Sequence, residues 1–479
     1  MPKKKLGPMN VYPLLPKTNC ERCAQKVCMS FAVQLCERNV NLEECPPLFE
    51  EETYKENLAK LRELLASAVK EVAIGVGDHQ VKIGGELVLR RHELRYLNPT
   101  AIAVVVDDEM PEDKILEQVK QTKEFRHKYI GMILTLDMIA VRSTSNDPAK
   151  FENAVKKVAE TTDMPLVLWS LDPIVLERGL KIVEERRPLI YAATRENWSG
   201  MGELALKYKC PLAVYSPNDV KTLRSIVSAL KSWGVEDLAL DTGAEFGDGV
   251  SNTVNNFTAS RISAITEEDE FLSFPLIGAP VRVWDKDGNS KSPEVVQWEE
   301  ACLASIMIVR YADLIMLKTA NMWSTLPLAV LRNNIYNDPR KPVNVDPGLI
   351  TFGNPNAENS PVFLTSNFAL TYYTVLSDIE KMDGYLLVAD TEGLSVEAAV
   401  AGRKLTAETV VNIIQSSKIE DKIKHKTLII PGFAARLKGD IEDATKWDVL
   451  VGPKDSSMIA GFLSEKWEGK DHTPGWSYK

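Results

Sequence analysis

The chain has only seven cysteines in 479 residues and a formal net charge of −10, so cysteine and positive charge are both in short supply. It also has no apolar run approaching the roughly 20 residues of a membrane span. Each absence excludes something. The acidic balance argues against nucleic acid as a main partner. The basic start, Lys3 to Lys5, is too short to change that. With no apolar stretch behind it, this start is not read as a signal peptide. Without a leader or a span, the chain is expected to be soluble and cytoplasmic, with no membrane role. Its closing region contains no G-x-G-x-x-G turn, which removes the dinucleotide-binding fingerprint.

What cysteine there is lies in one place. Five of the seven fall between positions 20 and 45, and Cys20, Cys23, Cys28 and Cys45 are spaced C-x2-C-x4-C-x16-C ahead of Pro46 and Pro47. Thiols this dense, without an export signal, suit a soft metal centre better than disulfides. Four thiolates can wrap one cubane iron–sulfur cluster. A structural zinc site also takes four, but zinc sites usually show two C-x2-C pairs and this chain shows one. The cluster is the favoured reading and zinc the alternative. Cys36, about two helical turns past Cys28, reads as a buried thiol in a short helix.

A length of 479 residues predicts two to four domains with a substantial core. Residues 1–60 form a small, proline-punctuated unit that needs a metal to hold it together. One short helix is expected there, about Cys23 to Arg38, followed by a charged helix over about Glu50 to Ala66. From Val72, short Val/Ile/Leu runs alternate with amphipathic stretches. Strands are expected at Val72–Val76, Ala101–Val106, Ile139–Ser143, Leu166–Ser170, Leu189–Ala193, Leu212–Tyr215, Leu238–Asp241 and Leu314–Leu317. Eight β/α units point to a TIM-like (β/α)8 barrel over 61–333, with an insertion between the last two strands. Residues 334–360, with Pro339, Pro342, Pro347 and Pro355, read as a linker. A small Rossmann-like α/β sheet is expected over 361–479, with strands at Val362–Thr365, Tyr385–Val388, Leu428–Ile430 and Val449–Val451.

Each of these last strands runs into a small or polar loop: Thr365-Ser366-Asn367, Asp390-Thr391-Glu392-Gly393-Leu394, Pro431-Gly432-Phe433 and Gly452-Pro453. Ligands of open α/β sheets bind beyond the carboxyl ends of strands. Gly393, Gly432 and Gly452 let backbone approach a large flat ligand. Thr391, Ser395 and the helix start beyond them can donate hydrogen bonds. Taken alone, the loops are also ordinary β/α turns. At the barrel's carboxyl end, Asp107, Asp108, Asp172, Asp241 and Thr194–Asn197 are candidates for chemistry, with helix capping the favoured role.

In combination these features resemble a known family. The array Thr18-Asn19-Cys20-x2-Cys23-x4-Cys28-x2-Phe31-Ala32, the eight-stranded middle and four closing blocks carry the likeness. The blocks are Thr365-Ser366-Asn367-Phe368-Ala369-Leu370-Thr371-Tyr372, Ala389-Asp390-Thr391-Glu392-Gly393, Leu428-Ile429-Ile430-Pro431-Gly432 and Leu450-Val451-Gly452-Pro453. They look like the large subunit of the corrinoid iron–sulfur protein, which in methanogenic archaea is the gamma subunit of the acetyl-CoA decarbonylase/synthase complex. The likeness covers nearly the whole chain.

That resemblance implies a 4Fe–4S cluster on Cys20, Cys23, Cys28 and Cys45. It also implies a corrinoid held by the loops carrying Thr365, Thr371, Thr391, Glu392, Gly393, Leu394, Ser395, Gly432, Gly452, Pro453 and Lys454, with Ser395 the candidate for its lower face. No side chain is assigned a catalytic role. The implied activity is methyl carriage on a corrinoid cobalt, between a methyl-tetrahydropterin (tetrahydrosarcinapterin or tetrahydrofolate) and the nickel site of acetyl-CoA synthase, in either direction. The cluster is expected to return cobalt to its reduced state after accidental oxidation. Expected partners are a small corrinoid iron–sulfur subunit, acetyl-CoA synthase, carbon monoxide dehydrogenase and the methyl-pterin or its methyltransferase. None of the five histidines (His79, His92, His127, His425, His472) stands in a D-x-H-x-x-G motif, so a base-off corrinoid without a histidine ligand is expected. One departure is Ala24, where the family pattern has Gly. The tail Lys466–Lys479 is read as an extension past the family's common end. The competing reading is an iron–sulfur electron-transfer subunit without corrinoid.

Overall fold

The computed structural model describes residues 7–287 and 291–467. Lys3–Lys5, His472 and the tail beyond Trp467 lie outside the described residues. The chain divides into two compact units, Met1–His127 with Leu134–Asp338 and Lys128–Ile133 with Pro339–Lys479. No helix among the described residues is long and apolar enough to cross a membrane.

The first unit opens with short helices around a small core of Phe31, Ala32, Leu35, Leu48, Leu58 and Leu61. Helix Cys28–Cys36 is shorter at both ends than its apolar pattern predicts. The Asn19 carboxamide accepts from the Cys28 N–H at 2.9 Å, which fixes the start. A left-handed Arg38 (φ 58°) lies just past the end. The charged helix is Lys55–Leu64, preceded by short turns that begin at Pro47.

Eight parallel strands follow: Ala101–Asp107, Met138–Arg142, Leu166–Trp169, Leu189–Ala193, Leu212–Tyr215, Leu238–Asp241, Ile277–Gly278 and Leu314–Leu317. Leu314–Leu317 pairs back onto Ala101–Asp107, and the Leu240 N–H donates to Pro275 O at 2.7 Å, so the ring closes. The lumen is packed with side chains, as barrel interiors are.

Two strand expectations are corrected. Val72–Val76 is not a barrel strand, because Glu71–Val76 pairs antiparallel with His79–Gly84 in a separate hairpin. Its Val72 and Ile74 are fully buried in the barrel's core cluster, so their composition mimics a barrel strand. The strand that makes up the eight is Ile277–Gly278, seventh in chain order and inside the expected insertion. Two residues carry no periodicity of their own, and neighbouring bonds hold them. The Asp313 N–H donates to Leu276 O at 2.8 Å, and the Asp313 carboxylate accepts from Leu276 N at 2.7 Å and Arg261 at 2.6 Å.

The second unit is a five-stranded sheet in the order Gly348–Phe352, Gly384–Ala389, Val362–Ser366, Thr427–Ile430, Asp448–Val451. The last four strands run parallel and the first is antiparallel. The expected linker is therefore corrected: residues 334–336 end helix Met322–Tyr336, and Gly348–Phe352 is an edge strand. Pro347 and Pro355 flank that strand rather than interrupt it, as suits an edge. Helices Ala369–Ile379 and Ile459–Lys466 pack on one face. Val396–Ala401, Ala407–Ser417 and Lys438–Thr445 pack on the other.

One buried acid in the first unit gives a pH prediction. Glu86 is 4% exposed and no side chain hydrogen-bonds its carboxylate. Burial pushes its carboxyl up to about 8, against the pull of Arg261. A carboxyl with a raised folded pKa binds more protons folded than unfolded, so stability declines as pH rises between about 5 and 8. Urea unfolding across that range is expected to show the decline, and Glu86→Gln to reduce it, with Glu300, pushed up by burial to about 7, keeping part of it.

Candidate functional site

The four cysteines come together. Cys20, Cys23, Cys28 and Cys45 line one cavity, with Phe31 and Pro46 in its wall. All four are free thiols; Cys28 and Cys45 are buried and Cys20 is exposed. Among the described residues no three Cys, His, Asp or Glu side chains are grouped as a single metal ion requires.

The loop reaches this shape through backbone bends. Lys17, Asn19, Glu21 and Ala24 are all left-handed, with φ of 60°, 49°, 59° and 58°. The Arg22 N–H and the Thr18 hydroxyl hold the Cys20 thiol below its ordinary range. Burial pushes Cys45 up to about 11, and the three neighbouring thiols add to the rise. A two-pronged pair, Arg22 to Glu50 at 2.8 and 2.6 Å, ties the loop to the segment after Cys45. Cys36 stands apart at the helix end, half-buried, with its thiol raised by burial. The Ala24 departure now has a physical meaning, because its backbone adopts a conformation that glycine takes freely.

In the second unit all the loops singled out by sequence lie on one edge of the sheet. Chain order reverses between Val362–Ser366 and Thr427–Ile430, which makes this pair the topological switch point. The pairing there is sparse: only Phe363 and Ile429 are in register, against five pairs between Val362–Ser366 and Gly384–Ala389. Thr365 and Ser366 end the first switch-point strand, both fully buried, and neither hydroxyl has a protein partner. Across the switch point, the Gly432 N–H donates to Pro453 O at 3.0 Å, and the Gly452 N–H to Ile430 O at 2.9 Å. Those bonds lock the 431–433 and 452–454 loops together.

The remaining predicted contacts take varied places. Thr371 is half-buried in the first turns of helix Ala369–Ile379. Glu392 is exposed and paired with Lys404. Lys454 is exposed, its ammonium 5.5 Å from the Phe433 ring. The Ser395 hydroxyl caps helix Val396–Ala401 from the Ala398 N–H at 3.5 Å.

The glycine expectation changes. A Cβ on Gly393 would meet Pro342 at 2.8 Å; on Gly432, Lys454 N at 2.8 Å; on Gly452, Ile429 at 3.2 Å. The chain itself crowds these positions, so packing alone requires small residues there. Sequence reasoning missed Asn367 and the 342–345 segment. The Asn367 carboxamide oxygen accepts from Thr391 N at 3.0 Å and Gly393 N at 3.0 Å, and stands 2.8 Å from the Thr391 hydroxyl. Its partners lie 24–26 residues away, beyond any local pattern.

At the barrel's carboxyl end the capping expectation holds for one acid of four. Asp172 caps a helix through Ile174 N at 2.8 Å, whereas Asp108 holds a loop, accepting from Thr144 N and Ser145 N, and the next helix is capped by Asp147. Asp107 instead pairs with Arg142 at 2.6 Å and with Lys318. Burial raises its carboxyl, but those cations outweigh burial and hold it below the usual range. Asp241, fully buried and raised by burial, accepts from the Tyr191 hydroxyl and from Gly243 N. Trp169 is 5% exposed and lies under Arg142 and Arg282, whereas Trp323 is 52% exposed. These charges largely answer one another.

Two substitutions check this geometry. Ala24→Gly relieves a left-handed alanine and is expected to stabilise the metal-free chain by about 0.5–1 kcal/mol in thermal melts. Gly393→Ala, at φ 74° and against Pro342, is expected to destabilise the cofactor-free second unit by about 1–3 kcal/mol. Unchanged stability there would mean that only a bound ligand, not the chain, crowds the position.

A family model described as "CO dehydrogenase/acetyl-CoA synthase delta subunit" matches residues 71–463, and one described as "Putative Fe-S cluster" matches residues 15–47. An acetyl-CoA decarbonylase/synthase complex subunit gamma 2 from Methanosarcina thermophila is 42% identical, covering 97% of this chain and 99% of the relative. The gamma subunit from Methanothermobacter thermautotrophicus is 41% identical, covering 95% and 98%. That from Archaeoglobus fulgidus is 42% identical, covering 97% and 99%. Among solved structures, dihydropteroate synthase from Thermus thermophilus aligns with TM-score 0.39 at 15% identity, over 55% of this chain and 99% of that one. With similarity running through both the cysteine segment and the rest of the chain, this protein belongs to the family of acetyl-CoA decarbonylase/synthase gamma subunits, the large subunits of the corrinoid iron–sulfur protein.

Proposed function

We propose that this chain is a methyl carrier working within a decarbonylase/synthase complex, with a 4Fe–4S cluster on its four N-terminal cysteines and a corrinoid at the switch point of its second unit. The observation that carries the reading is the presence of two sites of different chemistry in one chain. One is a cavity walled by four thiols. The other is a crevice edged by the unpartnered hydroxyls of Thr365 and Ser366. Both donor sets fit the groups in question.

When bound, the corrinoid supplies a cobalt that takes a methyl group from a methyl-tetrahydropterin and yields it to a nickel acceptor, or the reverse; the cluster supplies single electrons at low potential. The chain's part is to hold and to shield. Cys20, Cys23, Cys28 and Cys45 hold the cluster, and the exposed Cys20 side leaves an edge reachable by an electron donor. In the crevice, Thr365, Thr371, Thr391–Ser395, Gly432 and Gly452–Lys454 form the walls. Among the described residues of this unit the one histidine, His425, bonds Ser360 O at 2.9 Å and precedes strand Thr427–Ile430. It thus lies at the amino edge, away from the crevice, which supports a corrinoid with no protein imidazole on its metal. The relatives are named as complex subunits, which supports partners of that kind: a small corrinoid subunit, acetyl-CoA synthase and carbon monoxide dehydrogenase. A cytoplasmic location goes with them.

Anaerobic purification with metal analysis tests the reading. About four irons and one cobalt per chain are expected, with a base-off corrinoid spectrum. Iron without cobalt would favour the electron-transfer subunit, and zinc alone would overturn the account. Cys23→Ala is expected to lose the iron and keep the cobalt, which separates the two sites.

A further inference from the structure

We propose that Asn367 is the positioning residue of the crevice: its side chain presets the Thr391–Gly393 backbone that the corrinoid meets. This rests on the corrinoid reading above. Asn367 follows the switch-point strand Val362–Ser366 and is 2% exposed. Its carboxamide reaches across to the loop after the neighbouring strand Gly384–Ala389. One oxygen takes the N–H groups of Thr391 and Gly393, at 3.0 Å each. The Thr391 hydroxyl stands 2.8 Å from that oxygen and 2.8 Å from Leu394 O, and its single hydrogen serves one of them at a time. The amide nitrogen of Asn367 donates to Asp390 at 3.2 Å, and the same Asp390 oxygen accepts from Glu392 N at 3.0 Å.

This loop needs such a hold. Glu392 and Gly393 are consecutive left-handed residues, with φ of 55° and 74°. A short loop keeps that shape only where its surroundings over-determine it. Asn367 supplies the hold from beneath. The 342–345 segment supplies it from the side, since Val345 N donates to Asn367 O at 2.9 Å and Ala369 N to Val343 O at 2.9 Å. Asn367 spends both ends of its side chain on the protein. It therefore acts through the loop and makes no contact of its own with the corrin.

The full-length chain tests this with aquocobalamin as the probe. Binding is followed by visible titration, and the 390–394 loop by hydrogen–deuterium exchange. Asn367→Ala is expected to speed exchange of the loop and weaken cobalamin binding by about tenfold or more, with iron content unchanged. Asn367→Asp sets two carboxylates side by side and is expected to weaken binding similarly. The reciprocal pair Asn367→Asp with Asp390→Asn restores the 367–390 bond and gives up only the acceptor of the exposed Glu392 N–H, which water can serve, and is expected to recover part of the affinity. If Asn367→Ala does not fold, the comparison of Asn367→Asp with the reciprocal pair carries the test. Retained affinity in the single variants overturns the proposal, whether or not exchange quickens, and so does failure of the pair to recover lost affinity. If the unsubstituted chain binds no cobalamin, the corrinoid reading itself falls and the proposal with it.

Discussion

A reversal of strand order governs the second unit. Val362–Ser366 and Thr427–Ile430 lie side by side, but the chain leaves them toward helices on opposite faces of the sheet. Such a divergence opens a gap beyond their carboxyl ends. The pair meets in register only at Phe363 and Ile429. From that one constraint follow the unsatisfied Thr365 and Ser366 hydroxyls, the locked loops of Gly432 and Gly452, and a neighbouring loop that must be held from outside itself.

Much of this was legible in the sequence, and what was not has a physical reason. The grouping of the four cysteines around one cavity could be anticipated because they are near neighbours along the chain. Parallel strands were legible where they were long enough to show an apolar run, as at Ala101–Asp107 or Gly384–Ala389. Ile277–Gly278 was not, since two residues have no period and tertiary hydrogen bonds to Asp313 hold the strand. Glu71–Val76 misled because its inward side chains share the barrel's core cluster while its backbone pairs elsewhere. Gly348–Phe352 hid among prolines. Asn367 was invisible for a different reason: it is a common polar residue whose meaning comes from partners brought close only by strand order.

The two sites differ in how they are made rigid. Around the cysteines the shape comes from the backbone, with four left-handed residues between positions 17 and 24 and one Arg22–Glu50 clasp. The crevice takes its shape from side-chain bonds and close packing, with Asn367, Asp390 and Pro342 each fixing part of one loop. The barrel follows a third pattern. Its mouth carries buried charge, but Asp107, Arg142, Lys318 and Asp285 are tied to one another, and Arg282 sits 4.3 Å from the Tyr215 ring. Such mutual pairing limits the cost of burying charge.

The position of His425 has one further consequence. Imidazole is the commonest metal-ligating side chain. The one histidine among the described residues of the second unit is anchored to Ser360 and packed on Trp467, at the amino edge of the sheet. All seven cysteines lie in the first unit. The acids closest to the crevice, Asp390 and Glu392, are engaged by backbone N–H groups and by a lysine. Among the described residues of the second unit, then, no imidazole or thiol stands at the carboxyl edge of the sheet, where hydroxyls, backbone amides and engaged acids meet. Whatever that edge of the unit holds meets hydrogen-bond donors and acceptors rather than ligating nitrogen or sulfur.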